Sequence, residues 1–250
     1  MIGGLYTWGN GSLDSMLLTR ALASSAITSG SNLLETNVVG VVNEYGRITG
    51  VRTKEGIIEC DEVVFAQGPW SNEIENWLGI RIPVSPLKGQ ILRTRLINVE
   101  TYPDYDLSHE GISLYRKSNE MVWIGATEEN RGYDITQTVE ARDTLLDRAS
   151  VIVPSINESE IIKHTVCLRP ITPDWLPIIG KAPGWTNAWL ATGAGKKGIL
   201  LGPAMGRAIS DMITQGYTSL PIDRFSFTRF TYIHLFLNHD LTAITLMDRL

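Results

Sequence analysis

Gly193-Ala194-Gly195-Lys196-Lys197-Gly198 is the stretch on which the fold turns. Before it stands Ala188-Trp189-Leu190-Ala191-Thr192, short and apolar like a buried strand. After it, Ile199 to Gln215 carries the apolar spacing of a helix. The hexapeptide is therefore a literal G-x-G-x-x-G between strand and helix. Glycines let a ligand approach the backbone, and a helix N-terminus offers bare N–H groups and positive dipole to an anion. One reading is a dinucleotide diphosphate site. That site is the first of several βα units and has an acidic residue about 20 positions on. Here no such set of units follows, and Asp211 and Asp223 only bracket the spacing. The other reading gives the same bare amides to a different anionic group.

Working outward, Ser12 to Gly30 predicts a helix, with Leu17, Leu18, Ala21, Leu22, Ser25 and Ala26 near one face. Ser12 or Asp14 would cap it and Gly30 would end it. Asn32 to Thr36 is a short strand candidate. Val38 to Val42, Ile48 to Thr53 and Ile57 to Cys60, separated by turn residues, predict an antiparallel meander. Val63-Val64-Phe65-Ala66 is continuously apolar, as in a parallel strand buried on both faces. Gln67-Gly68-Pro69-Trp70-Ser71 then leads into a helix near Asn72 to Leu78. Gln90 to Leu96, Ile112 to Tyr115, Met121 to Gly125 and Ile161 to Leu168 suggest a mostly antiparallel sheet, with a helix over Thr138 to Ser150. The expected fold is α/β with an α+β insert: residues 1–81 and 179–230 form an incomplete Rossmann-like domain, 82–178 a substrate domain, and 231–250 a C-terminal tail.

Composition narrows the function classes. The chain is 43% apolar and 20% charged, which is ordinary for a globular protein, and its net charge of −5 argues against nucleic acid as a main partner. Cys60 and Cys167 form no CxxC, and the four histidines have no ligand spacing, so neither a disulfide framework nor a metal site is expected. No signal peptide is visible. The apolar residues between Thr231 and Met247 are interrupted by Asn238-His239-Asp240, so no membrane span is expected either. A cytoplasmic setting fits the cysteine usage.

Several segments, in order, carry a resemblance. Leu168-Arg169-Pro170-Ile171-Thr172-Pro173-Asp174 with Leu176-Pro177-Ile178-Ile179-Gly180, and Ala191-Thr192-Gly193 through Gly198-Ile199-Leu200-Leu201-Gly202-Pro203-Ala204, resemble the D-amino-acid oxidase/glycine oxidase/sarcosine oxidase family. So do Gly3-Gly4-Leu5-Tyr6-Thr7, Phe65-Ala66-Gln67-Gly68-Pro69-Trp70-Ser71, Ile124-Gly125-Ala126-Thr127 and Phe225-Ser226 to Arg229-Phe230. The resemblance implies an FAD-dependent oxidoreductase acting on a small amine or amino acid such as glycine, sarcosine, proline or a D-amino acid. It also implies that the helix start after Gly198 faces the flavin ring. Family members begin with a strand and a true G-x-G-x-x-G turn for the FAD diphosphate, which this chain is expected to lack. It is then a gene fragment, a split subunit that needs a partner, or a degenerate relative.

The resemblance also places residues. Arg169 falls where the family clamps the substrate carboxylate, and a planar fork suits that task. Lys196 replaces a family arginine that makes a second carboxylate contact. Ala194, Gly195, Lys196, Lys197, Gly198, Ile199 and Leu200 fall at the flavin ring, and Val38, Ala66 and Gly68 against the adenosine part. Ser113 stands where glycine oxidase-like members have a tyrosine, and Tyr115 lies two residues on, on the same strand face. Cys167 matches the cysteine that sarcosine oxidase-like members link covalently to flavin; the reading that its residue type favours is a small buried residue.

Overall fold

The computed structural model describes residues 4–230 except 10, 99, 101 and 119; the expected tail over 231–250 lies outside them. The chain is a mixed α/β fold of two compact units. Among described residues, one unit groups 4–34 with 87–168 and the other 35–86 with 169–230. This differs from the expected division chiefly in where the first 34 residues go.

The first unit is built on a five-stranded sheet of order β6-β7-β8-β5-β9. Its strands are β5 (Ser85–Arg95), β6 (Leu107–His109), β7 (Ile112–Arg116), β8 (Met121–Gly125) and β9 (Glu160–Ile171). Period-2 alternation sends Leu92, Leu114, Val122 and Ile124 to one face, where Leu145 and Ala149 of α3 (Val139–Ile152) complete a core. Thr138 caps α3, its Oγ1 accepting from the Ala141 N–H at 3.2 Å. Some of its buried polar groups satisfy one another. Lys88 Nζ is 2.7 Å from Asp134 Oδ2, and Gln90 Nε2 donates to Glu129 Oε1 (2.9 Å) and Thr138 Oγ1 (3.1 Å). α1 (Ser15–Thr28) is capped by Asp14, whose Oδ1 accepts from Met16 N–H and Leu17 N–H, but it buries none of its residues.

The second unit contains two three-stranded sheets. β1 (Val38–Glu44), β2 (Arg47–Thr53) and β3 (Ile57–Glu59) form the expected antiparallel meander. The other sheet has the order β10-β11-β4, with β10 (Ile178–Lys181) antiparallel to β11 (Ala188–Thr192), and β11 parallel to β4 (Val63–Phe65). Alternation again sorts the faces. Phe65, Ile178, Ala188 and Leu190 turn to a core with Ile48, Ile74, Leu78, Phe227 and Phe230; Ile179 and Trp189 turn to Met205, Ala208 and Ile209 of α4 (Gly198–Gln215). Asn187, fully buried, ties the meander to this sheet: it accepts from the Ile48 N–H and donates to the carbonyls of Ile48 and Asp61.

Three local expectations change. Asn32 to Thr36 is not a strand: its residues have no ladder partner and are mostly exposed. Residues Gly68–Ile74 form a 3₁₀ helix started by Pro69, so the helix expected near Asn72 shrinks to the single turn α2 (Glu75–Leu78), ended by Gly79 at φ +65°. β4 is not buried on both faces, since Val64 is 42% exposed and Ala66 is exposed too. β4 is an edge strand, and among the described residues nothing pairs with its outer side.

Candidate active site

The site is assembled at the C-terminal ends of the two parallel strands, where open α/β sheets place ligands. β11 ends in Gly193 at φ +75°, a conformation that suits glycine; a Cβ there would lie 2.7 Å from Thr172 Cγ2. Gly195 follows at φ +54°, a 3₁₀ turn spans Gly195–Lys197, and α4 begins at Gly198. The first amides of α4 have no intrahelical acceptor, so the turn presents donors and the positive helix end.

β4 ends beside it in a second glycine turn, Gly68 at φ +56°. The two turns are tied by hydroxyls. Ser71 Oγ and Thr192 Oγ1 are 2.6 Å apart, Ser71 Oγ donates to Gly68 O at 2.6 Å, and Thr192 Oγ1 reaches the same carbonyl at 3.2 Å. Both turns open on one cavity of about 630 Å³ lined by Ala66, Gly68, Thr192, Gly193, Ala194 and Gly198 at its turn end. The cavity continues along α4 past Gly202, Gly206, Ile209 and Ile213. Its lining is apolar or glycine, with hydroxyls only at Thr192, Ser210 and Thr214.

The end of β9 meets the same turn. Ile171 bridges Ala194, and Gly195 packs 3.6 Å from Ile171 Cγ2 and 3.8 Å from Pro170 O, counted from a Cβ built on it. Arg169 thus lies one residue from the backbone that touches the glycine turn, half-buried. Lys196, exposed, holds its Nζ 5.4 Å from the Trp175 ring. The Pro170 to Leu176 segment is held by Asp174. Arg229 Nε donates to Asp174 Oδ2 at 2.7 Å, Arg229 Nη2 donates to Leu176 O at 2.8 Å, and Thr172 Oγ1 donates to Asp174 Oδ1 at 3.0 Å. Burial alone would raise the Asp174 pKa, but hydrogen bonds from Arg229, Leu176 and Thr172 overcome it and hold the carboxyl below its usual range.

Of the residues named from the resemblance, Ala66, Gly68, Ala194 and Gly198 line the cavity, and Gly195, Lys196 and Lys197 form the turn beside it. Ile199 and Leu200 sit in the first turn of α4, exposed and outside the lining. Val38 lies in β1 opposite Thr53 and also outside the lining. Cys167 is exposed in β9, two residues before Arg169. Ser113 bonds Ser108 across β6 and β7 at 2.8 Å, and Tyr115 follows on its face. Sequence reasoning missed Ser71 and the Arg229–Asp174 pair; their partners lie 121 and 55 residues away, beyond any local signal. Among the described residues no group of acidic, cysteine and histidine side chains could hold a metal ion, and no helix is long and apolar enough to cross a membrane.

Comparison with known proteins gives a consistent answer. A family model described as FAD dependent oxidoreductase matches residues 1–212. Glycine oxidase of Pseudomonas putida is 33% identical over 177 residues, covering 71% of this chain and 48% of that protein. The structure of glycine oxidase from Geobacillus kaustophilus superposes with a TM-score of 0.79 at 28% identity, over 85% of this chain and 57% of that one. L-proline dehydrogenase from P. horikoshii gives 0.81 at 30%, over 87% and 60%. The chain therefore spans about half the length of the relatives it matches.

Proposed function

Because this chain belongs to the family of FAD dependent oxidoreductases, we propose that it forms the substrate-binding part and the ring-facing turn of an enzyme that oxidises the C–N bond of a small amine or amino acid. FAD, when bound, supplies the two-electron acceptor for that bond. The residues fit such a group. The Gly68 and Gly193 turns leave room beside the backbone, the apolar cavity walls suit a flat ring, and the start of α4 suits a ring edge that gains negative charge. Among the functional side chains, Arg169 clamps the substrate carboxylate and fixes the orientation of its Cα, the task a rigid fork performs best. Lys196 adds a point charge beside that carboxylate, which a fork would hold more rigidly. Ala66, Gly68 and Ala194 close the cavity around the cofactor, and Val38 contacts its distal part. Cys167 takes no part in this proposal, so acid denaturation should release all flavin into solution.

The single observation that carries the reading is the convergence of the two glycine turns and the β9 end on one apolar cavity. The test supplies a relative's remaining half together with FAD, then adds glycine, sarcosine, proline or D-amino acids without oxygen. Loss of the oxidised flavin absorbance with one of them is expected; none with any of them would remove the reading. In that assembly Arg169→Ala should raise KM by about 100-fold or more, as loss of a charge-assisted pair worth about 3 kcal/mol requires.

A second reading, favoured by the other end of the cavity, is that this half works only with a partner subunit. Val63 N–H bonds Asn187 O on the β11 side, so strand alternation turns the Val64 backbone groups to the open edge. Among the described residues Gly202 and Gly206 have nothing within 4 Å of a built Cβ, so none of these residues covers this helix face. A parallel strand followed by a helix fits that edge and that face. Purified alone, a yellow monomer would contradict this reading; a colourless protein that turns yellow only with the partner half would support it.

A further inference from the structure

Trp175 stands in the connection from β9 to β10 with its backbone at φ +61°. Among the described residues Tyr45 and Glu110 are also non-glycines at positive φ. Those two sit in two-residue hairpins, β1 to β2 and β6 to β7, where the turn itself demands that conformation. Trp175 is in no hairpin, since β9 and β10 belong to different sheets. A bulky residue at positive φ persists only where its surroundings hold it there. The Trp175 N–H donates to Thr172 O at 3.1 Å. On the other side, the Leu176 N–H donates to Asp174 Oδ1 at 3.2 Å and the Leu176 carbonyl accepts from Arg229. The chain is thus pinned before and after the indole.

The pinned backbone sets the ring against the glycine turn at two successive residues. Trp175 Cε3 lies 4.0 Å from a Cβ built on Gly195, and Lys196 Nζ is 5.4 Å from the centre of the ring, within reach of cation–π attraction. Apolar burial does not account for this position. The indole is half-exposed and lines an open cavity of about 480 Å³ with Arg81 and Thr172. Lysine carries its charge on a flexible four-carbon stem. A ring face fixed against the residue before it narrows the space through which that charge swings. The hydrogen bonds that fix the ring do not involve the lysine, so the ring places the lysine and not the reverse.

We infer that Trp175 is a positioning residue: its indole holds the Lys196 ammonium at the glycine turn. Its use in the enzyme rests on the reading of Lys196 as the point charge beside the substrate carboxylate. Trp175 then sets substrate affinity through Lys196 and stands apart from the reaction itself.

The lysine is read first, without flavin. NMR of the full chain with isotope-labelled lysine follows the Lys196 Hε signals, identified by their absence in Lys196→Met. They should stand upfield of the signals of other exposed lysines, because the ring current shields protons over the face of an indole. Trp175→Gly should return them to the exposed-lysine position; glycine suits φ +61°, so this variant keeps the turn. Trp175→Phe, which keeps an aromatic face, should keep most of the shift. In the assembly with a relative's remaining half and FAD, Trp175→Gly should raise KM about 2- to 5-fold with kcat unchanged, the loss expected of an exposed cation–π contact. Trp175→Phe should recover most of that loss, and in a Lys196→Met background Trp175→Gly should add nothing. Lys196 signals unmoved by Trp175→Gly, an unchanged KM, or the same rise in KM with and without Lys196 would each overturn the proposal. If the assembly oxidises no amine, the enzymatic reading fails by itself, and the Lys196 signals still decide whether the indole holds the lysine.

Discussion

The two sheets of the molecule are covered differently. In the five-stranded sheet, α3 closes one face, and Leu92, Leu114, Val122 and Ile124 have at most a trace of exposure. In the β10-β11-β4 sheet, one face is closed by the meander and the Phe227 to Phe230 turn, and α4 covers much of the other. Among the described residues nothing covers its β4 edge or the glycine stripe of α4. The difference teaches that the first unit supplies its own core, whereas the second leaves open the surface next to its glycine turns. In this second unit, ligand space and packing vacancy are parts of one cavity. Binding there, by cofactor or partner, should stabilise the second unit and leave the first unchanged.

Substitutions at matched places in the two units sharpen this contrast. Gly193→Val should be the most damaging. It puts a branched side chain at φ +75° and its Cβ 2.7 Å from Thr172 Cγ2. The combined conformational and overpacking cost is about 4 kcal/mol. Urea unfolding should show it in the α4 signals and leave those of α3 intact; equal loss in both would mean that the units unfold as one. Lys88→Ala should destabilise the first unit, because it empties a fully buried position and takes the cation from beside Asp134 and Glu129. Hydrogen exchange over β5 and α3 reads this, and exchange over β11 should not respond. Ser71→Ala, which removes the tie between the two glycine turns, should cost about 1 kcal/mol and loosen the Gly68 amide first. A loss spread evenly over the second unit would place Ser71 in the general core instead.

Acid should separate the units more gently. Hydrogen bonds from Lys88 and then Thr136 hold the Asp134 carboxyl well below its usual range. A carboxyl depressed on folding stabilises above its unfolded pKa of about 3.9, and that contribution is lost as pH falls toward the folded value. Below about pH 4 the first unit should weaken progressively, and Asp134→Asn should flatten that slope. An identical acid profile in the variant would show that Asp134 is not the group responsible.

Much of this was legible in the chain itself. The strand, glycine turn and helix around Gly193 lie where the apolar run and the glycines predict, and the meander follows its turn residues. The ordered resemblance named the family that the comparison then showed. What failed to show is what depends on distant partners. Val63 to Phe65 reads as a strand covered on both faces, but coverage is a property of neighbours, and among the described residues Val64 stays 42% exposed at a sheet edge. Lys88 looks like any surface lysine until Asp134, 46 residues on, is folded against it. Arg93 and Trp123 meet only through the β5–β8 register, which no local pattern encodes. The same holds for Asn187, which reaches Ile48 across 139 residues.

The central claim is that the glycine turn after Thr192 and the first amides of α4 serve a ring and not a diphosphate. Lumiflavin, which has the ring and no phosphate, and inorganic pyrophosphate can be titrated separately against the isotope-labelled chain while the amide signals of residues 193–200 are followed. Saturable shifts with lumiflavin and none with pyrophosphate are predicted. Saturable shifts with pyrophosphate and none with lumiflavin would contradict the account.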